Sequence, residues 1–439
     1  MSNPSETQSL LLQKTKNRMA NLFTPNQVLG RIRTIGCVAV EITQKCNLDC
    51  TLCYLSEHSQ QVQDIPIEEV FKRLDAVVAH YGVGTDVQIT GGDPTLRKHS
   101  ELIKIVRYAH TIGLYPALFT NGIAASRELL SQLANAGLSD VAFHVDSTQR
   151  RKGYETEVEL NQLRQEYIER ARGLGLMVIF NTTVHRGNFA ELPELLTFFK
   201  GNADVIGLTS FQLQAETGRG EWRARDIIIT KQTVQKQLEK GAGKSLPWEA
   251  LHVGHTDCHS YLPTLTINNN IYSIVDDAEF AGDFLKDFSS VSWNRRLSAF
   301  YNIKTFLFVM ATKPRWWFRL LAYGFKRIRL MAKDLIQAGG RAHQLTIFVQ
   351  NFMDANHLEQ DRVDGCSFMV MTAEGPVSMC EHNASRDDFI LKPIDVTHRD
   401  GSVKTYQPLK ASKKTSNTSK HNENTKWLNA ETIPTVQID

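Results

Sequence analysis

The sequence predicts an α/β fold of about six βα units, forming either a doubly wound sheet or an incomplete barrel, with a smaller α+β region behind it. Two observations carry this. From Gly36 to about residue 225, short β-branched or apolar runs alternate with amphipathic stretches of helical period. After about residue 225 that rhythm is lost. The size of the chain is compatible: 439 residues, 42% hydrophobic and 22% charged, which excludes a wholly disordered chain and allows two or three cores.

Residues 1–35 are polar and weakly periodic, and read as a leader or short N-terminal helix. The strand-like runs are Cys37–Thr43, Val87–Thr90, Tyr115–Thr120, Val141–Asp146, Met177–Val184 and Val205–Leu213. Between them, Val70, Leu74, Val77 and Tyr81 recur at helical spacing, as do Leu102, Val106 and Ala109. Leu129, Leu130 and Leu133 repeat the theme, with Gly137 as a helix stop. Glu157–Gly173 is a charged helix. These units assign 36–225 to the core, whose working residues belong at the C-terminal ends of the strands. Residues 226–395 form the second region. It has a short helix at Lys231–Lys240, a hairpin at Thr264–Val275 turning on Asn268–Asn270, a largely helical part at 295–338, and short strands at Thr346–Phe352 and Ser367–Thr372. Residues 396–439, rich in Lys, Ser, Thr and Asn, read as a disordered tail.

Charge and apolar runs narrow the function classes. With 50 Lys+Arg against 47 Asp+Glu, the chain as a whole is no polyanion binder, and no specific nucleic acid is expected. No run reaches the roughly 18 apolar residues of a membrane span, so the sequence predicts a cytoplasmic protein. Seven cysteines are too few, and odd, for a disulfide scaffold.

Their positions say more. Cys46, Cys50 and Cys53 form C-x3-C-x2-C directly after the first strand, on the first βα loop. Three thiolates in a tight loop suit a soft metal centre. A structural zinc wants four closed ligands, and no fourth Cys or His lies nearby. A four-iron cluster held by three thiolates keeps one iron open. One unit later, Gly91-Gly92-Asp93-Pro94-Thr95 ends the second strand.

This pair of motifs resembles that of the radical S-adenosylmethionine (SAM) enzymes. The resemblance implies an incomplete (β/α)6 TIM-like barrel with a C-terminal α+β auxiliary domain. It implies a [4Fe-4S] cluster on Cys46, Cys50 and Cys53, with Tyr54 as the aromatic that follows. It implies SAM held at the open iron by Gly91–Thr95, Asp93 replacing the more usual Glu. It further implies cleavage to a 5′-deoxyadenosyl radical and a reductant protein such as flavodoxin or ferredoxin. Asp146 and Asn181, at later strand ends, are expected to touch ribose, carboxylate or substrate; His144 reads equally as a buried histidine.

Cys258, Cys366 and Cys380 form a second group. Cys366 and Cys380 enclose a Gly375 turn, which resembles the start of the auxiliary-cluster domain of many radical SAM enzymes and implies a second iron–sulfur cluster. A fourth ligand would come from His259, His382, an acid or substrate; a zinc site and plain buried cysteines are the competing readings. Cys37 reads as core. The order of Asp257-Cys258-His259, Asn351-Phe352-Met353-Asp354 and Asp364-Gly365-Cys366 resembles the branch with archaeal tetraether lipid synthase and hydroxymethylpterin-alkylating enzymes. The extra cysteines of its large members are missing.

Between Phe288 and Lys333 there is no acid, but there are ten cations: Arg295, Arg296, Lys304, Lys313, Arg315, Arg319, Lys326, Arg327, Arg329 and Lys333. They are interleaved with Phe306, Phe308, Trp316, Trp317, Phe318 and Phe325. A basic, aromatic amphipathic stretch suits a membrane interface; single-stranded nucleic acid or an ordinary helical subdomain are the alternatives. With the family resemblance, the sequence favours a lipid-like substrate and peripheral contact with the inner membrane face through 295–338. The rivals are peptide or protein modification and a non-catalytic iron–sulfur or zinc protein.

Overall fold

A computed structural model describes residues 4–220, 229–291, 295, 299–398 and 400–409. The first strands fall where the sequence places them: β1 Cys37–Thr43, β2 Asp86–Gly91, β3 Tyr115–Thr120, β4 Asp140–His144, β5 Met177–Val184 and β6 Ile206–Leu213. α1 (Pro4–Met19) precedes β1. α2 (Ile67–Tyr81), α3 (His99–Thr111), α4 (Arg127–Asn135), α5 (Asn161–Ala171) and α6 (Leu192–Gly201) connect β1 to β6, and neighbouring strands pair parallel.

Side-chain alternation sorts each strand. Val38, Val40 and Ile42 of β1, Val87 and Ile89 of β2, and Val178, Phe180 and Val184 of β5 join one core cluster with Val70, Leu74 and Val77 of α2. The alternate positions face the interior of the curved sheet. There they are largely polar: Glu41, Gln88, His144, Asn181, Ser210 and Gln350.

The second region contains α7 (Lys231–Ala242), β7 (His259–Ile267), β8 (Asn270–Ser273), α8 (Ala278–Asp287), α9 (Ala299–Ala311), α10 (Arg315–Gln337), β9 (His343–Asn351), α11 (Gln360–Asp364), β10 (Phe368–Thr372), β11 (Gly375–Ser378), α12 (Met379–Ala384) and α13 (Arg386–Ile390). It does not build a sheet of its own. β9 pairs parallel with β6, and β10 pairs parallel with β1, so eight parallel strands run in the order β10-β1-β2-β3-β4-β5-β6-β9. The two ends of this run meet through side chains. The Phe348 and Phe368 rings are 5.7 Å apart, and His259 stands 5.3 and 5.0 Å from them. The result is a partial barrel, extended beyond the six expected strands.

The hairpin of β7 and β8 turns on Asn268 and Asn269, both at positive φ, a conformation Asn tolerates. One expectation needs correction. β12 (Ile394–Thr397) and β13 (Val403–Tyr406) form an antiparallel hairpin where the composition suggests a disordered tail. The Tyr406 hydroxyl and the Gln63 backbone N–H, bonded to Gln63 and Pro408 carbonyls respectively, tie it to the core. The rest of that tail, 410–439, lies outside the described residues.

Candidate active site

The loop after β1 carries Cys46, Cys50 and Cys53; the first two are half-buried, the third is buried, and all are free thiols. Burial raises the Cys46 thiol, with Asp93 and Cys53 adding to it. Burial also pushes Cys50 far up, and charge on Asp146, Cys53 and Cys46 adds to that. The loop is held from two sides. The Thr51 N–H donates to the Thr148 carbonyl beyond β4 (3.0 Å). The Arg219 N–H donates to the Leu55 carbonyl (2.8 Å), its guanidinium donates to the Leu48 carbonyl (3.2 Å), and its positive charge faces Cys53. Gly218 (φ +59°) lies so close that a Cβ there would collide with the Tyr54 backbone.

The Gly91–Thr95 turn packs against the chain leading into this loop. A Cβ on Gly91 would strike the Thr43 carbonyl, and one on Gly92 the Lys45 carbonyl. The Gly92 and Asp93 N–H groups donate to those same carbonyls (2.9 and 2.7 Å). The glycines thus let β2's end approach the cysteine loop. The Tyr54 hydroxyl closes the link by donating to the Gly91 carbonyl (2.7 Å), and Arg386 of α13 stacks 4.7 Å from the Tyr54 ring.

Asp93 is not an exposed ligand acid. It is fully buried. Its carboxylate accepts from the Thr95 N–H (3.0 Å), the Thr95 hydroxyl (2.5 Å), the Thr120 hydroxyl (2.9 Å) and the Asn121 N–H (2.9 Å). It caps the 3-10 turn Pro94–Leu96 and ties β2's end to β3's. Pro94 and Thr95 are buried within the same turn. Asp93→Ala strands several buried donors and should cost roughly 2–4 kcal/mol, lowering the urea midpoint; an unchanged midpoint would mean the carboxylate is not structural.

Asp146 is bonded in the same way. It is fully buried and accepts from the Thr148 N–H (3.0 Å), the Thr148 hydroxyl and the Thr183 N–H (2.9 Å), with His144 Nε2 2.7 Å away. Burial alone would raise its carboxyl. His144 and the donors outweigh burial and hold it well below the usual range. Asn181 differs: its side chain faces the lumen within β5, three residues before the strand's end at Val184, paired in register with His144 and Ser210, and no internal bond consumes its amide among the described residues.

Residues 40–199 match the radical SAM superfamily. The chain carries a radical SAM domain. A PqqA peptide cyclase of Bradyrhizobium diazoefficiens is 32% identical over 165 residues, covering 36% of this chain and 42% of that one. A 7,8-dihydro-6-hydroxymethylpterin dimethyltransferase of Methanocaldococcus jannaschii is 27% identical over 186 residues, covering 41% and 36%. The chain thus aligns with less than half the length of these curated relatives. A solved structure of Streptococcus suis SuiB bound to S-adenosylmethionine aligns over 44% of each chain at 15% identity, with a TM-score of 0.36.

Outside the radical SAM domain, Cys258, Cys366 and Cys380 come together. All three are buried and line one cavity of about 10 Å³ with His259, Arg362 and Met353. Arg362 Nε donates to Cys258 Sγ (3.3 Å) and the Met353 N–H to Cys380 Sγ (3.4 Å). Burial pushes Cys258 up to about 11 and Cys380 to about 12, neighbouring thiols adding to each. His259 Nε2 bonds the Ser367 hydroxyl (2.7 Å), but its buried Nδ1 has no partner. The donor set suits a soft metal centre; the space between the sulfurs, room for about one water, does not hold a cluster unless its walls part. His382 lies elsewhere, against Phe389 and Arg386. Cys37 is buried in the barrel interior, its thiol taking a bond from Gln88 (2.9 Å), rather than in the apolar core.

The sequence reading missed two arginines that shape the site. Arg219 reaches Cys53 from beyond β6, and Arg386, paired with the buried Glu41, braces Tyr54. The Gly218-Arg219-Gly220 string at a strand end was the available signal for the first.

Proposed function

We propose that this chain is a radical SAM enzyme acting on a lipid-like substrate. The observation that carries the chemistry is the triad itself: three free thiols on the loop after β1, inside the radical SAM domain, with the Gly91–Gly92 turn packed against the chain that leads into that loop. Among the described residues, no three His, Cys, Asp or Glu side chains are placed to hold a single metal ion, which disfavours the zinc reading; thiols on separate corners of a cluster need not converge as ligands of one ion do. Bound to Cys46, Cys50 and Cys53, a [4Fe-4S] cluster with one open iron would chelate SAM and supply the electron that cleaves it to a radical able to take hydrogen from an unactivated C–H bond. Arg219 and Asn121, whose Nδ2 lies 3.8 Å from Cys46 Sγ, would orient and hydrogen-bond the thiolates. Asn181 and the other polar lumen groups would bind SAM or substrate. A flavodoxin- or ferredoxin-like protein would deliver electrons to the half-exposed loop. Cys258, Cys366 and Cys380, with His259, would hold a second iron–sulfur centre only if the walls of their small cavity part.

The lipid-like substrate rests on α9 and α10. Trp316 is fully buried among the Phe280, Phe284 and Phe288 rings of and beside α8, and Arg327 and Met331 are buried on the same face. The opposite face of α10 is apolar and exposed: Phe318 (79%), Leu321, Phe325, Ile328 and Ile336 (81%) recur at helical spacing. Phe300 and Phe308 of α9 are exposed as well. A helix apolar on two sides has a second partner to find, and Lys304, Arg329 and Lys333, without a carboxylate at ion-pair distance among the described residues, suit an anionic bilayer. No helix among the described residues is long and apolar enough to cross a membrane, so the contact would be peripheral.

A second reading has its own support: curated relatives are named as peptide cyclases, so peptide modification is the rival. The two separate in an anaerobic assay of the reconstituted protein with dithionite and SAM. Formation of 5′-deoxyadenosine should rise above the uncoupled rate on adding anionic phospholipid vesicles. A rise with peptides and none with lipid would transfer the function to peptide modification.

A further inference from the structure

A cavity of about 1600 Å³ lies at the end of the barrel opposite the cysteine triad. Its walls include Ile35, Thr85 and Tyr115, at or just before the starts of β1, β2 and β3, whereas the triad follows the end of β1. At about 3.3 Å per residue, β1 separates the two by roughly 20 Å. Ligand pockets for small molecules usually span about 300–1,000 Å³, so this space suits something longer. Much of the wall is apolar, with Leu12 of α1, Val28, Phe284 of α8 and Leu320 of α10 among its members.

The charges in the wall are of two kinds. Arg33 and Arg295 pair with Asp86, and Arg327 with Asp276, so their charge is already met. Lys16, Arg31 and Lys286 have no carboxylate at ion-pair distance among the described residues, and of these Lys16 and Arg31 are grouped. They stand over one ring, Lys16 Nζ 5.2 Å and the Arg31 guanidinium 4.9 Å from the Phe23 centroid. Arg31 Nε is buried without an acceptor. Burial lowers the Arg31 pKa and no neighbouring carboxylate offsets it. A partly desolvated guanidinium with an idle donor, beside an ammonium and an apolar cavity, is costly unless an anion completes it.

We infer that this cavity binds an anionic amphiphile, its carboxylate or phosphate head on Lys16 and Arg31 and its chain along the apolar wall. α10 links the inference to the membrane reading. Leu320, Tyr323 and Met331 line the cavity, while Phe318, Leu321 and Phe325 of the same helix are exposed. One helix separates the cavity from the exposed apolar face. The inference concerns binding only and stands independently of the radical chemistry.

The test titrates the full-length chain with a fluorescent long-chain fatty acid. Saturable binding near one probe per chain is expected. Lys16→Ala/Arg31→Ala should weaken it about tenfold or more, because charge-assisted bonds to the head are lost. The matching fatty alcohol should bind the unaltered protein about as weakly as the acid binds the double variant. Cys50→Ala should bind the acid with unchanged affinity, which separates failure here from failure of the cluster assignment. Thermal melts confirm that the variants fold, and Lys16→Arg/Arg31→Lys, which keeps both charges, should retain most of the affinity. Equal binding by unaltered protein and double variant, or equal binding of acid and alcohol, would overturn the proposal. Displacement of the probe by millimolar inorganic phosphate alone would also overturn it, by showing an anion niche that needs no chain.

Discussion

Cys50→Ala is expected to remove about four irons per chain from the anaerobically reconstituted protein while leaving its melting transition in place. The size of the effect follows from the ligand count. The β1 loop offers three thiols, and losing one leaves two, too few to anchor a four-iron cluster. The fold should tolerate the change because the loop is held by backbone bonds from Thr51 and Arg219 and by Tyr54, none of which uses the Cys50 sulfur. Cys380→Ala separates the two cysteine groups. If the second group also takes a cluster, the unaltered chain should hold about eight irons and this variant about four. An iron count near four in both would confine the metal to the triad.

Phe318→Asp/Phe325→Asp should abolish co-sedimentation with anionic liposomes. Two terms compete in that contact. The cations are fewer than the sequence suggests, because acids from outside the stretch claim most of them: Asp287 takes Lys313 and Arg315, Asp283 takes Arg319, and Asp276 takes Lys326 and Arg327. Arg295 is likewise paired, with Asp86 and Asp140, and Arg296 lies outside the described residues. Among the described residues Lys304, Arg329 and Lys333 remain, each contributing about 1 kcal/mol near an anionic surface. The exposed stripe of Phe318, Leu321, Phe325, Ile328 and Ile336 contributes about 1.5–3 kcal/mol per fully buried side chain. The apolar term is therefore the larger. The double substitution should lower partitioning by about 4 kcal/mol, or three decades, whereas Lys304→Gln/Arg329→Gln/Lys333→Gln should lower it less and mainly at low salt. Equal sedimentation by the Asp variant would contradict a membrane contact through α10.

The parts of the site legible in the sequence were those set by local pattern. β1 to β6 were readable because each strand alternates between a helix-covered face and the lumen, and the triad because three cysteines crowd one loop. The internal bonding of the two acids has a local reason. Asp93-Pro94-Thr95 and Asp146-Ser147-Thr148 share one turn, in which the Thr N–H and hydroxyl both donate to the Asp carboxylate. The Asp-x-Thr spacing was visible and marks each acid as the cap of a turn. What could not be read was long-range: β9 and β10 joining the two edges of the core sheet, Arg386 reaching Glu41, Asp276 and Asp287 neutralising a stretch that begins after them, and α1 closing the cavity at the N-terminal face. These depend on tertiary packing between segments far apart in sequence.

The most direct test of the central assignment is the yield of 5′-deoxyadenosine when the reconstituted chain, SAM and dithionite are combined without oxygen. A triad that holds a SAM-cleaving cluster predicts clear product from the unaltered protein and background from Cys50→Ala. No product from the iron-loaded protein, or equal product from both, would contradict it.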